Sequence, residues 1–171
     1  MAPDNEPKDE PGGNDWMLLR DAQQRTVNTV PRTGIAIATD IGDQGDIHPR
    51  DKQNVGLRLA LSALAKDYGK KIEYTGPVLK SAVGKEGQMV LTFTHAEGGL
   101  SMKGDAERVF AIAGKDRVWA WATPKVEGDR VVLKSPNVPS PIYVRYAWSN
   151  LPRATLYNGA SLPAAPFQNV P

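Results

Sequence analysis

Asp40, Asp43, Asp46 and His48 fall in one short stretch, Asp40-Ile-Gly-Asp-Gln-Gly-Asp-Ile-His-Pro-Arg50. An imidazole beside a carboxylate is the pair that acyl transfer needs. The ring takes the proton of a hydroxyl nucleophile, and the carboxylate fixes the tautomer and steadies the imidazolium. Asp46 and Asp43 are both near enough in sequence to serve His48. The same residues also read as a capped surface loop, because Asp-x-His arises by chance. The aspartates are spaced by three, whereas a calcium helix-loop-helix alternates its ligands by two and ends in a bidentate Glu. No metal and no cofactor is expected. His95 ends the alternation of Met89, Leu91 and Phe93 and reads as a packed strand-end residue. Trp119 and Trp121 share a face, suited to a core or to a sugar-stacking platform. None of the seven serines (Ser62, Ser81, Ser101, Ser135, Ser140, Ser149, Ser161) lies in a Gly-Asp-Ser or Gly-x-Ser-x-Gly context. No serine nucleophile can be named.

The elements around this stretch say where it sits. Gly34-Ile-Ala-Ile-Ala38 is short, apolar and not alternating, the pattern of a strand covered on both faces. Such a strand needs neighbours, and nothing upstream supplies them. A helix is predicted before it, from about Trp16 to Asn28, capped by Asn14 or Asp15, with Trp16, Leu19, Gln23 and Val27 toward a sheet. A second helix is predicted from about Arg50 to Tyr68, with Pro49 in its first turn and Gly69 after its end. Leu57, Leu61, Leu64 and Tyr68 form its apolar stripe, a face that would lack cover in this chain. The aspartate-rich stretch is therefore the turn between a strand and a helix, where α/β proteins collect functional groups.

From Tyr74 onward the period changes to two. The runs Met89–Thr94, Phe110–Ala113, Val118–Ala122, Arg130–Lys134 and Ile142–Trp148, with Gly and Pro turns between them, predict a small antiparallel β-sandwich. The expected organisation is a flexible tail or loop at 1–14, an incomplete α/β core at 15–71, the sandwich at 72–150 and an irregular segment at 151–171.

Composition narrows the function classes. The formal net charge of +2, with Lys and Arg scattered, carries no electrostatic footprint for nucleic acid. Cysteine is absent, which excludes disulfides and thiolate metal sites. No segment has the roughly 18 apolar residues of a membrane span. The polar, Pro- and Gly-rich start does not read as a secretory signal.

The run from Thr39 to Ala60, with Asp-Ile-His-Pro followed by Lys52-Gln-Asn-Val-Gly56, resembles the C-terminal catalytic block of sialate O-acetylesterase-type carbohydrate esterases, in the SGNH/GDSL hydrolase superfamily. The resemblance extends to Trp16-Met-Leu-Leu-Arg-Asp-Ala-Gln23, Tyr74-Thr-Gly-Pro77, Val144-Arg-Tyr-Ala-Trp148, Asn158 and Leu162-Pro-Ala-Ala-Pro-Phe167. It implies the C-terminal part of a flavodoxin-like α/β/α hydrolase core followed by the sandwich, acting on O-acetylated sugars in a secreted or periplasmic parent. His48 would be the general base and Asp46 its orienting carboxylate. The superfamily's Asp-x-x-His spacing falls on Gly45, so Asp43 stays beside Asp46 as a candidate. The blocks bearing the Ser, Gly and Asn of such a site do not occur here, so the chain alone is expected to be inactive. Its partners would be the acetylated carbohydrate and either the N-terminal part of the esterase or another copy of itself. The alternative is a non-catalytic carbohydrate-binding or accessory sandwich module.

Overall fold

Helix α1 occupies Asp15–Thr29 and helix α2 Lys52–Lys66, close to the predicted spans. In this computed structural model the described residues are 15–43, 46, 48, 50–104, 106–152 and 156–170. Pro49 and Asn14, both expected near helix starts, lie outside them. The cap of α2 is Asp51, whose Oδ1 accepts from the Asn54 N–H at 3.0 Å and whose Oδ2 accepts from the Asn54 amide at 2.7 Å. Those bonds, first the side-chain one and then the backbone one, hold the Asp51 carboxyl below its ordinary range. The helix ends where Gly69 takes a φ of 65°, and the Lys70 N–H returns to the Leu64 carbonyl at 2.9 Å.

Helix α1 turns inward a face that shares only Val27 with the predicted one, and the apolar stripe of α2 is largely uncovered, in line with its expected lack of cover. On α1, Met17 is buried, with Arg20, Gln24 and Val27 half-buried along the same stripe, while Trp16 and Leu19 are exposed. Arg20 explains the rotation: its guanidinium donates to the Ser149 and Asn150 carbonyls, each at 2.9 Å. On α2 the buried residues are Arg58 and Ser62, and Leu57, Leu64 and Tyr68 of the apolar stripe are exposed. The covered face is the one on which residues 33–40 lie. The Lys66 ammonium donates to the Thr33 carbonyl at 2.9 Å, and Gly34 sits so near Ser62 that a Cβ would collide with its hydroxyl.

The strand expected at Gly34–Ala38 is not formed. These residues carry no assigned regular structure. Strand assignment needs a hydrogen-bonded neighbour, and among the described residues none pairs with them. The periodicity was that of a buried strand; the ladder that would complete it is not supplied.

The strands are β1 Val78–Lys85, β2 Gln88–Thr94, β3 Ser101–Met102, β4 Phe110–Ala113, β5 Trp119–Trp121, β6 Thr123–Glu127, β7 Arg130–Lys134, β8 Tyr143–Tyr146, β9 Leu156–Tyr157 and β10 Phe167–Gln168. They form antiparallel sheets in the orders β1-β2-β7-β6 and β10-β8-β4-β5, with β3-β9 as a short third ladder. One apolar cluster joins the two larger sheets. Met89, Leu91 and Phe93 of β2 and Val131 and Leu133 of β7 meet Phe110 and Ile112 of β4 and Val144 and Tyr146 of β8. Phe167 stacks on Tyr146 at 5.2 Å and meets Phe93 edge-on at 5.9 Å. The segment after residue 150, expected to be irregular, thus contributes β9, β10 and buried Leu156, Leu162 and Ala164.

Trp119 and Trp121 do not enter this core. Ala120 and Ala122 face it, and the tryptophans lie half-buried on the opposite face of β5. There the Arg145 guanidinium sits 4.1 Å from the Trp119 ring centroid. The rims of the first sheet are irregular. The β1–β2 register shifts between Leu79 and Ser81, and β6 carries Pro124 beside Lys125.

Candidate active site

The Asp/His stretch leaves the end of the 33–38 segment and returns to the capped start of α2, so both of its stems are anchored. Within it the His48 N–H donates to Asp46 Oδ1 at 2.8 Å, a tight side-chain-to-backbone turn. The same oxygen stands 3.4 Å from His48 Nδ1, an ion-pair separation longer than a good hydrogen bond. The imidazole is 80% exposed and the Asp46 side chain 47%. An open imidazole with a carboxylate oxygen beside Nδ1 leaves Nε2 available for proton transfer with a group that docks from outside.

Beside the loop runs a groove of about 550 Å³. Its floor is Ile35 to Thr39, one wall is α1 through Arg20 and Gln24, and the other is Leu151, Pro152, Ala165 and Pro166. Asp40, Asp43 and Asp46 line its end. The structure therefore brings Asp46 to His48 and sets Asp43 on the groove. The Thr39 hydroxyl, also on the groove, is buried without a hydrogen-bond partner among the described residues. Ser62 is buried in α2 against Gly34.

A second polar cluster was not foreseen. His95, half-buried just after β2, has Nδ1 2.8 Å from Glu73 Oε1, and the Glu97 carboxylate joins them, with one ligand atom from each residue within 4.8 Å of the others. Burial pushes the Glu73 carboxyl up, but hydrogen bonds from Glu97, His95 and the Tyr74 N–H outweigh it and leave the group below its ordinary value. Asn158, only 2% exposed, clamps the same corner. Its amide donates to the Thr75 carbonyl at 2.9 Å and the His95 carbonyl at 3.0 Å, and its oxygen accepts from the Leu162 N–H at 3.1 Å. Sequence spacing gave no sign of these pairings, since the partners come from separate loops.

Known proteins bear on this geometry. The crystal structure of a carbohydrate acetylesterase from Xanthomonas citri matches with a TM-score of 0.84 and 42% identity, over 91% of this chain and 36% of that one. The two helices together with the sheets are thus compatible with the α/β fold of a carbohydrate esterase. No family model matches the chain. The sialate O-acetylesterase of Mus musculus is 32% identical over 155 residues, 81% of this chain and 28% of its own length. That of Homo sapiens is 31% identical, over 81% of this chain and 29% of its own. The chain belongs to the sialate O-acetylesterase-type carbohydrate esterases, and it spans less than a third of the curated relatives it matches.

Proposed function

We propose that this chain supplies the base and its carboxylate to an esterase site that removes O-acetyl groups from sugars. His48 takes the proton of a serine hydroxyl as its oxygen attacks the acetyl carbonyl. It then gives that proton to the departing sugar oxygen. Water, deprotonated by the same ring, attacks the acyl-serine; acetate leaves as the serine oxygen takes the proton back from the ring. Asp46 orients the ring, with Asp43 the other candidate for that role. The serine and the oxyanion-hole donors come from outside this sequence. On this reading residues 15–71 belong to an SGNH hydrolase core of flavodoxin-like layout, the two larger sheets form an attached β-sandwich, and the partner is the remainder of the esterase.

The observation that carries the reading is the Asp46–His48 pair, open to solvent, whose Asp46 lines a groove also lined by residues 35–39, a stretch that pairs with no strand among the described residues. An exposed imidazole with its carboxylate beside a groove suits a base that serves a nucleophile from another part of the esterase. The alternative, a carbohydrate-binding module, draws on the outward-facing Trp119 and Trp121, although the Arg145 guanidinium already covers one Trp119 face.

The test is a chimera in which residues 15–171 replace the matching region of the Xanthomonas citri acetylesterase, assayed on p-nitrophenyl acetate and an O-acetylated sialic acid. The chimera is expected to turn over, and its His48→Ala variant to lose on the order of 10³-fold or more in kcat. A loss below tenfold would remove His48 from the mechanism. The 171-residue chain alone is expected to show no His48-dependent hydrolysis, because nucleophile and oxyanion donors supply most of the rate. Turnover by that chain would place the nucleophile among its own residues.

A further inference from the structure

Asp40 is engaged on two sides. Its carboxylate and the Arg58 guanidinium, each 9% exposed, meet as a fork, Nη1 to Oδ1 at 2.6 Å and Nη2 to Oδ2 at 2.7 Å. Arg58 Nη1 also donates to the Ile37 carbonyl. From the opposite side the Tyr157 hydroxyl donates to Asp40 Oδ2 at 3.4 Å. Tyr157 is itself held. The Lys103 ammonium lies 4.6 Å from its ring centroid, and the N–H of its neighbour Leu156 donates to the Tyr146 hydroxyl in the sheet core at 2.9 Å. One carboxylate thus joins the loop stem, α2 and β9, segments remote in sequence. Burial, and then the Asp40 charge, pushes the Tyr157 hydroxyl up to about 12, so it stays a donor at neutral pH.

We propose that Arg58 and Tyr157 are positioning residues for His48: by clamping Asp40 they fix the stem of the loop that carries Asp46 and the imidazole, and tie its place to the sheet unit. Neither touches a reacting atom. The inference rests on His48 being the general base. The fork matters because two parallel bonds fix orientation as well as distance, which a lysine cannot reproduce. The other stem is pinned separately, by the Asp51 cap. A loop held at both stems keeps its base within the narrow range that proton transfer tolerates, and a misplacement near 1 Å costs up to about 10²-fold.

Two variants test this, Tyr157→Phe and Arg58→Lys, both mild enough to keep the fold. In the 171-residue chain each is expected to speed hydrogen exchange of the His48 amide at least about threefold, with the thermal midpoint within about 4 °C of wild type. In the chimera kcat is expected to fall about tenfold with KM within about twofold, since substrate binding is untouched. Unchanged His48 exchange and unchanged kcat in both variants, with His48→Ala still inactive, would overturn the positioning role and leave the base in place. An active His48→Ala chimera would overturn the base itself, and this inference with it.

Discussion

Replacing Asn158 with Ala removes three side-chain hydrogen bonds at once: to the Thr75 carbonyl, to the His95 carbonyl and from the Leu162 N–H. The site is 2% exposed, so water does not readily take their place. At about 1 kcal/mol per bond, the expected cost is roughly 3 kcal/mol. For a chain of this size that lowers the thermal midpoint by roughly 6–12 °C. In urea, with a slope of about 2 kcal/mol per molar, the midpoint falls by about 1.5 M with the slope unchanged. Tryptophan fluorescence and far-ultraviolet dichroism, followed together, would show whether the transition remains a single one. Asn158→Asp sharpens the test. It keeps the acceptor for Leu162 but turns a negative oxygen toward two carbonyls, so it should cost more than Ala at pH 7, and less as acid protonates it. A cost under about 0.5 kcal/mol for Ala, or wild-type stability for Asp at neutral pH, would refute the view of Asn158 as the clamp of this corner.

Glu73 titrates below its ordinary value when folded, so its contribution is present above the unfolded value of 4.5 and is lost as pH falls through the lower folded one. Glu73→Gln should therefore be less stable than wild type at pH 7, with the gap narrowing below pH 4.5 in acid unfolding curves. Two glycines should respond in opposite directions. Gly56, exposed in α2 with open space around it, should gain about 0.5–1 kcal/mol on change to Ala. Gly76, where a Cβ would run into the Pro163 carbonyl, should lose stability on the same change, as urea midpoints would show. Asp51→Ala should destabilise the fold by uncapping α2, read as lost helicity or a lowered midpoint.

The helices and the longer strands were legible because their signals are local. A glycine stop and the alternation of Met89, Leu91 and Phe93 depend on near neighbours alone, whereas the Asp51 cap of α2 was not read from the sequence. The strand at 34–38 was legible as a pattern but not as a structure, because a ladder depends on a partner that the pattern cannot supply. Helix rotation was misread for a related reason. The apolar stripe of α1 predicts Trp16 and Leu19 inward, whereas the contact available is polar, Arg20 reaching two carbonyls; on α2 Arg58 grips Asp40 while the leucine stripe stays largely uncovered. At the candidate site, His48 and its aspartates are singled out by the family resemblance, since Asp-x-His spacing alone arises by chance. Arg58, Tyr157, Glu73 and Asn158 did not, since each finds its partners across long separations that no periodicity marks.

The irregular rims of the first sheet bear on how separate molecules meet. The register shift in β1, with Lys80 at the irregularity, and Pro124 beside Lys125 in β6 both interrupt the even row of donors and acceptors that a second chain would need to add a strand. Residues 34–38 carry no proline or charged side chain, although the Ile37 and Ala38 carbonyls are taken by Arg58 and the Ile41 N–H, and exposed leucines lie on both neighbouring helices. Crowded copies in solution would therefore first adhere along this stretch, and the sheet rims would stay inert. A solubilising charge placed there would do more against precipitation than one placed on either rim.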